Sequence, residues 1–203
     1  MLQVRKLMSL MAVLIIGISG ITQKATAFEI SVQPSALNPD INDVFQIEIM
    51  ALNLGNGAAP SIGAFDIDFD FDSAILQFNS LTFGNGLDLG FGSLQNDSLA
   101  GGTVSVDETS FESEADLNSF QPEDFMLFSI EFTALSAGIS DLTVAVQSIS
   151  DASGLTLLTP TAIQNGRVNV NSGGGQIPEP TMLYLWGLGL LMLASTRSYF
   201  QRM

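Results

Sequence analysis

The feature that most restricts the fold is the alternating run Phe65-Asp66-Ile67-Asp68-Phe69-Asp70-Phe71-Asp72. In an extended chain successive side chains leave on opposite faces, so the four aspartates share one side while the three phenylalanines and Ile67 share the other. A half-buried β-strand satisfies both halves of that pattern. The same period recurs in Phe45, Ile47, Ile49 and Ala51 set against Gln46, Glu48 and Met50. In all, strands are expected at 28–33, 43–53, 62–72, 75–83, 103–110, 125–134, 141–148, 154–158 and 166–171. Between them stand turn-forming clusters such as Asn38-Pro39-Asp40, Gly84-Asn85-Gly86, Gly101-Gly102 and Asn165-Gly166, which suit backbone at positive φ. No amphipathic helix of normal length is apparent. Two longer loops are expected at Gly84 to Gly102 and Glu112 to Asp124, the second with room for one helical turn near Ser113. Nine short strands without helices predict an all-β sandwich.

Both ends of the chain differ from this middle. Arg5 and Lys6 precede an apolar stretch from Leu7 to Ile18, and Ala25-Thr26-Ala27 offers the small residues that signal peptidase requires. A signal peptide over 1–27, cleaved after Ala27, leaves Phe28 as the new N-terminus. At the other end Ile177-Pro178-Glu179-Pro180 leads into an apolar run from Thr181 to Thr196, followed by Arg197 and Arg202. Sixteen helical residues reach roughly 24 Å, short of the ~30 Å hydrocarbon layer, so this transmembrane helix spans only marginally and suits transient insertion better than a permanent anchor. The arginines predict a cytoplasmic C-terminus. Residues 171–176, Asn-Ser-Gly-Gly-Gly-Gln, read as a flexible linker. The remaining body, 28–170, is the size of one domain.

The C-terminal segment resembles the PEP-CTERM sorting signal, on the ordered trio of Pro178-Glu179-Pro180, short apolar helix and basic end at Arg197 and Arg202. The resemblance implies recognition by an exosortase, cleavage near Pro178 to Pro180, and delivery to the cell surface or an extracellular biofilm matrix. The body resembles a cohesin-type module. The likeness rests on Asp43-Val44-Phe45-Gln46-Ile47, on Gly63 to Asp72 closing with Phe71-Asp72, on Leu127-Phe128-Ser129-Ile130-Glu131-Phe132 with Gly138, and on Asn165-Gly166-Arg167-Val168-Asn169-Val170. It implies a nine-stranded jelly-roll sandwich, flanked by the signal peptide and the short apolar helix. It also implies a noncatalytic module that docks on a protein or a polysaccharide through one sheet face.

Charge and residue inventory narrow the functions further. All of the 21 acidic residues except Glu179 lie in the body, where Arg167 is the only base. Phosphate recognition needs Lys and Arg, so nucleic acid is excluded as a partner. The partner is expected to be neutral, cationic or bridged by a divalent ion. The chain has no cysteine, so its core alone must hold it, and no histidine, which removes the commonest general base and zinc ligand. Trp186, Tyr184 and Tyr199 all lie in the sorting segment, leaving phenylalanine as the body's only stacking residue for sugars. Phe83 and Phe91, beside glycines, are the expected exposed pair.

Asp66, Asp68, Asp70 and Asp72 are the candidate calcium ligands, and no other cofactor is expected. Spaced ~6.8 Å apart along a strand, adjacent carboxylates repel by only about 0.6 kcal/mol in water-like surroundings, so they tolerate the absence of metal. A straight strand supplies one or two of the six to eight oxygens calcium needs, so a loop bearing Asp88, Asp97, Glu112, Glu114 or Asp116 would have to complete the shell. An EF-hand is rejected, because Phe71 stands in place of its glycine and Gln77 in place of its final glutamate. The expected function is therefore an exported, noncatalytic binding module handled by signal peptidase and exosortase and touching the membrane transiently. A structural matrix protein without a specific ligand and a carboxylate-based glycosidase are the alternatives.

Overall fold

The computed structural model describes residues 28–172. The signal-peptide reading with Ala25 and Ala27, most of the linker, and the sorting segment with Pro178, Glu179, Pro180, Arg197 and Arg202 lie outside the described residues.

Ten strands form in chain order: β1 Glu29–Pro34, β2 Val44–Leu52, β3 Ile62–Asp70, β4 Leu76–Phe83, β5 Ser93–Ala100, β6 Thr103–Ser110, β7 Phe125–Ala134, β8 Gly138–Asp151, β9 Ala162–Gln164 and β10 Gly166–Val170, with one helix, α1 Glu114–Phe120, before β7. They build two five-stranded sheets, ordered β4-β7-β2-β1-β9 and β10-β8-β3-β6-β5. Every pairing is antiparallel except β1 with β9. The chain is an all-β two-sheet sandwich.

The core is the sum of the inward halves of the alternating runs. Ile47, Ile49 and Ala51 from β2 and Ile67 and Phe69 from β3 are fully buried. They meet Leu127, Phe128, Ile130 and Phe132 from β7. Phe132 sits at the centre of an aromatic cluster, with ring centroids 4.8 Å from Phe71, 6.2 Å from Phe69, 6.3 Å from Phe45 and 6.4 Å from Phe78. Offset and edge-on pairs of this kind add to simple area burial.

Ten strands stand among the described residues where nine were expected, and sequence and structure part most clearly at three places. The stretch expected as a long loop, Gly84 to Gly102, contains β5, an edge strand paired residue for residue with β6 from Ser93↔Ser110 to Ala100↔Thr103. All of β5 after Ser93 is exposed, so no buried face imprints period-two alternation on its sequence. Gly101, at φ 64°, supplies the left-handed residue of the connecting turn. Residues 154–158, expected as a strand, form a loop instead. Asp151 Oδ1 accepts from the backbone N–H groups of Ser153, Leu155 and Thr156 and from Ser153 Oγ. Leu155 and Leu157 consequently face solvent, and the short β9 follows this loop. The expected helical turn near Ser113 grows into α1, whose first turn is capped by Ser113 Oγ accepting from the Asp116 N–H.

The sandwich has two unlike ends. At one, the segments 53–61, 84–92, 111–124 and 151–161 are laced together: Asn53 N–H donates to Asp124, Ile62 N–H to Gln121 Oε1, and Gln121 Nε2 to the carbonyls of Ile62 and Gly86. Phe28 enters here, its carbonyl accepting from Thr161. The other end carries tight turns around 71–75, 101–102 and 135–138. Asn171 leaves there, donating its N–H to the Pro39 carbonyl.

Candidate functional site

The outward side of β3 forms the middle of an open sheet face. Asp66, Asp68 and Asp70 stand in a row along it, with Phe65, Ile67 and Phe69 buried behind them. Asp72 does not extend the row, because β3 ends at Asp70. Its Oδ1 accepts from the Ala74 N–H at 2.9 Å, and its own N–H donates to Ser140 Oγ at 3.0 Å, so Asp72 holds a turn.

Strands β6 and β8 flank β3 and supply donors at register. Thr103 lies opposite Asp70, and its hydroxyl donates to Asp70 Oδ1. Ser105 lies opposite Asp68 and donates to Oδ1, while Gln147 Nε2 from β8 donates to Oδ2 at 2.8 Å. Asp66 faces a second carboxylate, Asp107. Partial burial first, then the charges of Asp68 and Asp107, push the Asp66 pKa above the usual aspartate range. Asp107 is steadied by Asn96 Nδ2 of β5 at 2.8 Å. The result is four carboxylates on one face, three with fixed donors and none opposite a cation. The single ion pair among the described residues, Arg167 with Asp141 at 2.6 Å, lies on β10 and β8 at the far edge of the sheet.

Among the described residues no three acidic side chains gather as a ligand set. The loops expected to close over the row turn elsewhere. Asp88 Oδ1 accepts from the Gly90 and Gly92 N–H groups and Glu112 Oε1 from those of Leu89 and Phe91, so both carboxylates are spent on their own loop. Asp97 belongs to β5, separated from β3 by β6, and Glu114 and Asp116 open α1.

One carboxyl that the sequence reading passed over lies beneath this face. Glu108 of β6 is only 1 % exposed. Its Oε1 accepts from Ser93 Oγ at 2.6 Å and Gln95 Nε2 at 2.9 Å, while Oε2 has no partner. Burial pushes its pKa up, with the Asp88 charge adding to the rise, while the Ser93 and Gln95 hydrogen bonds pull against them. The signal was available: Val104 and Val106 point inward, and counting two further reaches Glu108.

Glycoside cleavage requires a pair of carboxyl groups, one of them with a raised pKa, and two of the clefts among the described residues bear on it. One of about 310 Å³ between β8 and 157–163 is lined by Gln147, Leu157, Pro160 and Ile163 among others, without any acid. A second, of about 180 Å³, holds Glu112 and Asp151. Although burial works against it, hydrogen bonds from Ser153, Thr156 and Leu155 carry the Asp151 pKa below its ordinary value. A general acid needs the opposite shift.

A scan against protein-family models finds no match, and a search of curated proteins finds none. Solved structures do match, several cohesins among them. A type I cohesin from a cohesin–dockerin complex of Clostridium thermocellum has 16% identity and a TM-score of 0.58, covering 71% of this chain and 99% of its own. The seventh type I cohesin of a Pseudobacteroides cellulosolvens protein has 16% identity and a TM-score of 0.57, over 73% and 95%. A non-cellulosomal cohesin from the hyperthermophilic archaeon Archaeoglobus fulgidus has 16% identity and a TM-score of 0.53, over 76% and 98%. The chain therefore has a cohesin-like fold.

Proposed function

We propose that this protein is an exported, noncatalytic binding module that docks a protein partner on the open β8-β3-β6-β5 face. The observation that carries this reading is the row Asp66, Asp68 and Asp70 beside Asp107 on an open sheet face, where Thr103, Ser105, Gln147 and Asn96 hold all of them but Asp66. Side chains already held by their neighbours lose little freedom when a partner arrives, which favours recognition. The uniform negative sign selects a cationic counterpart and hastens its encounter. A protein is preferred to a polysaccharide because the body offers neither Trp nor Tyr for stacking on sugar rings. The cohesin captured with a dockerin in Clostridium thermocellum offers a precedent for protein docking on this fold.

In this reading signal peptidase cuts after Ala27, exosortase recognises Pro178-Glu179-Pro180, and the body reaches the cell surface or the extracellular matrix. Membrane contact through 181–196, with Arg197 and Arg202 on the cytoplasmic side, is transient. Calcium has no assigned part.

The test is isolation of proteins from culture supernatant on the immobilised full chain, followed by calorimetric titration of each identified protein. Saturable binding that is lost in Asp68→Asn/Asp70→Asn is expected. Binding of matrix polysaccharide instead would replace the protein by a glycan, and silence toward both would leave a structural matrix protein. Mass spectrometry of the native C-terminus tests processing: an end near Pro178 to Pro180 is expected, and an end beyond Thr196 would overturn removal of the tail.

A further inference from the structure

Phe91 is 79 % exposed and Phe111 62 % exposed, yet both stand on well-fixed backbone. The loop before β5 is pinned at every amide from Leu89 to Gly92. Leu89 and Phe91 N–H donate to Glu112 Oε1 at 2.9 and 2.8 Å, and Gly90 and Gly92 N–H donate to Asp88 Oδ1 at 3.0 and 2.9 Å. The Ser110 hydroxyl donates to the Leu87 carbonyl, and Phe111 N–H to that of Gly92. Leu87 itself is buried and plugs the loop into the core. The aromatic rings are therefore displayed by a built loop, and most of each ring is left in water, where burial would be favourable.

The apolar groups stand on adjoining segments, joined by the Phe111 N–H to Gly92 carbonyl bond. The Phe111 ring lies 3.9 Å from where a Cβ on Gly92 would sit. Leu94, 53 % exposed, lies opposite Thr109, which shares a face of β6 with the position of Phe111. Large aromatic anchors on a pre-set backbone are the usual centres of protein interfaces, because their ordering cost is already met.

Charge selects the occupant. The segments 84–92 and 111–116 contain Asp88, Glu112, Glu114 and Asp116 and no lysine or arginine. A second copy of this chain would bring the same carboxylates face to face, and an anionic lipid surface would be repelled. We propose that the corner formed by Leu89, Phe91, Leu94 and Phe111 is a second docking site, distinct from the aspartate row, which inserts into an apolar pocket rimmed by basic side chains on a partner protein.

The test uses the full chain and three labelled twelve-residue peptides, alternating Leu/Lys, Leu/Glu and Ser/Lys, with phosphatidylglycerol vesicles and sedimentation as parallel arms. The Leu/Lys peptide is expected to bind saturably and at least tenfold tighter than either of the others. Phe91→Ser is expected to weaken it at least tenfold, and Glu112→Ala, which frees two loop amides, to weaken it as well. Asp68→Asn is expected to change it less than twofold. Equal binding of Ser/Lys, or an unchanged affinity in Phe91→Ser, would overturn the site. Phe91-dependent vesicle binding or self-association would replace the protein partner by a membrane or a second copy and overturn the proposal. Sensitivity to Asp68→Asn without sensitivity to Phe91→Ser would overturn this site while leaving the sheet-face reading intact.

Discussion

Asp68 and Glu108 sit on adjacent strands of one sheet and carry the same functional group, but they face opposite ways. Asp68 looks outward and has donors for both oxygens, from Ser105 and Gln147. Glu108 looks inward and has donors for one oxygen only. The outward carboxylate is compatible with water and available to a partner, whereas the inward one costs free energy whenever it is ionised. A single acidic composition thus contains two populations, one usable for recognition and one that taxes the fold.

The sharpest way to break this division is to attack the apolar wall that separates them. Phe69→Ala, in a fully buried position against Phe132, is expected to cost about 3–5 kcal/mol, measured by urea unfolding. A loss below about 1 kcal/mol would mean that the two faces of β3 are not sealed from each other. Next in size is Glu108→Gln, which keeps an acceptor for Ser93 and Gln95 and removes the charge. It is expected to stabilise the fold by about 1 kcal/mol at neutral pH.

The sign of the pH dependence follows from the raised pKa of Glu108. Between its ordinary value of 4.5 and the raised folded value, the folded chain keeps a proton that the unfolded chain has released. The Glu108 contribution to stability is therefore fully present below 4.5 and lost as pH rises through that window. Thermal melts across the window should show this fall in the parent and a flatter profile in Glu108→Gln; parallel profiles would assign the effect elsewhere. Asp151 works in reverse, since its lowered pKa gives stability that is present above 3.8 and lost as pH falls through the folded value. The smallest effect belongs to the outward row. Asp66→Asn is expected to alter stability by no more than about 0.5 kcal/mol, because it relieves like-charge repulsion without disturbing the core. A larger change in the same unfolding assay would show that the row is a structural element.

The alternating segments were legible in advance because burial on one side writes a period of two into them. Phe65 to Asp70 and Phe45 to Ala51 are read correctly for that reason, whereas the solvent-facing Phe91 was legible from the glycines beside it. Phe83, expected beside it, is only partly exposed, because β4 continues to that residue and packs it against the core. Strand β5 escapes because water touches both its sides, and the Leu155 to Leu157 loop misleads because its leucines alternate without a core to enter. The donors that fix the aspartate row could not be read either. Thr103, Ser105 and Gln147 reach Asp70 and Asp68 through strand register, which joins residues 33 to 79 positions apart.

The described body enters at one pole, at Phe28, and leaves at the opposite one, beside Pro39. A module tethered only through its C-terminal side would stand upright, with the tether below and the Phe91 loop uppermost. Strand β3, nine residues long, makes that stalk about 30 Å tall. The aspartate face would then run along the flank, accessible sideways to neighbours in the same layer, while the aromatic crown greets whatever approaches from outside.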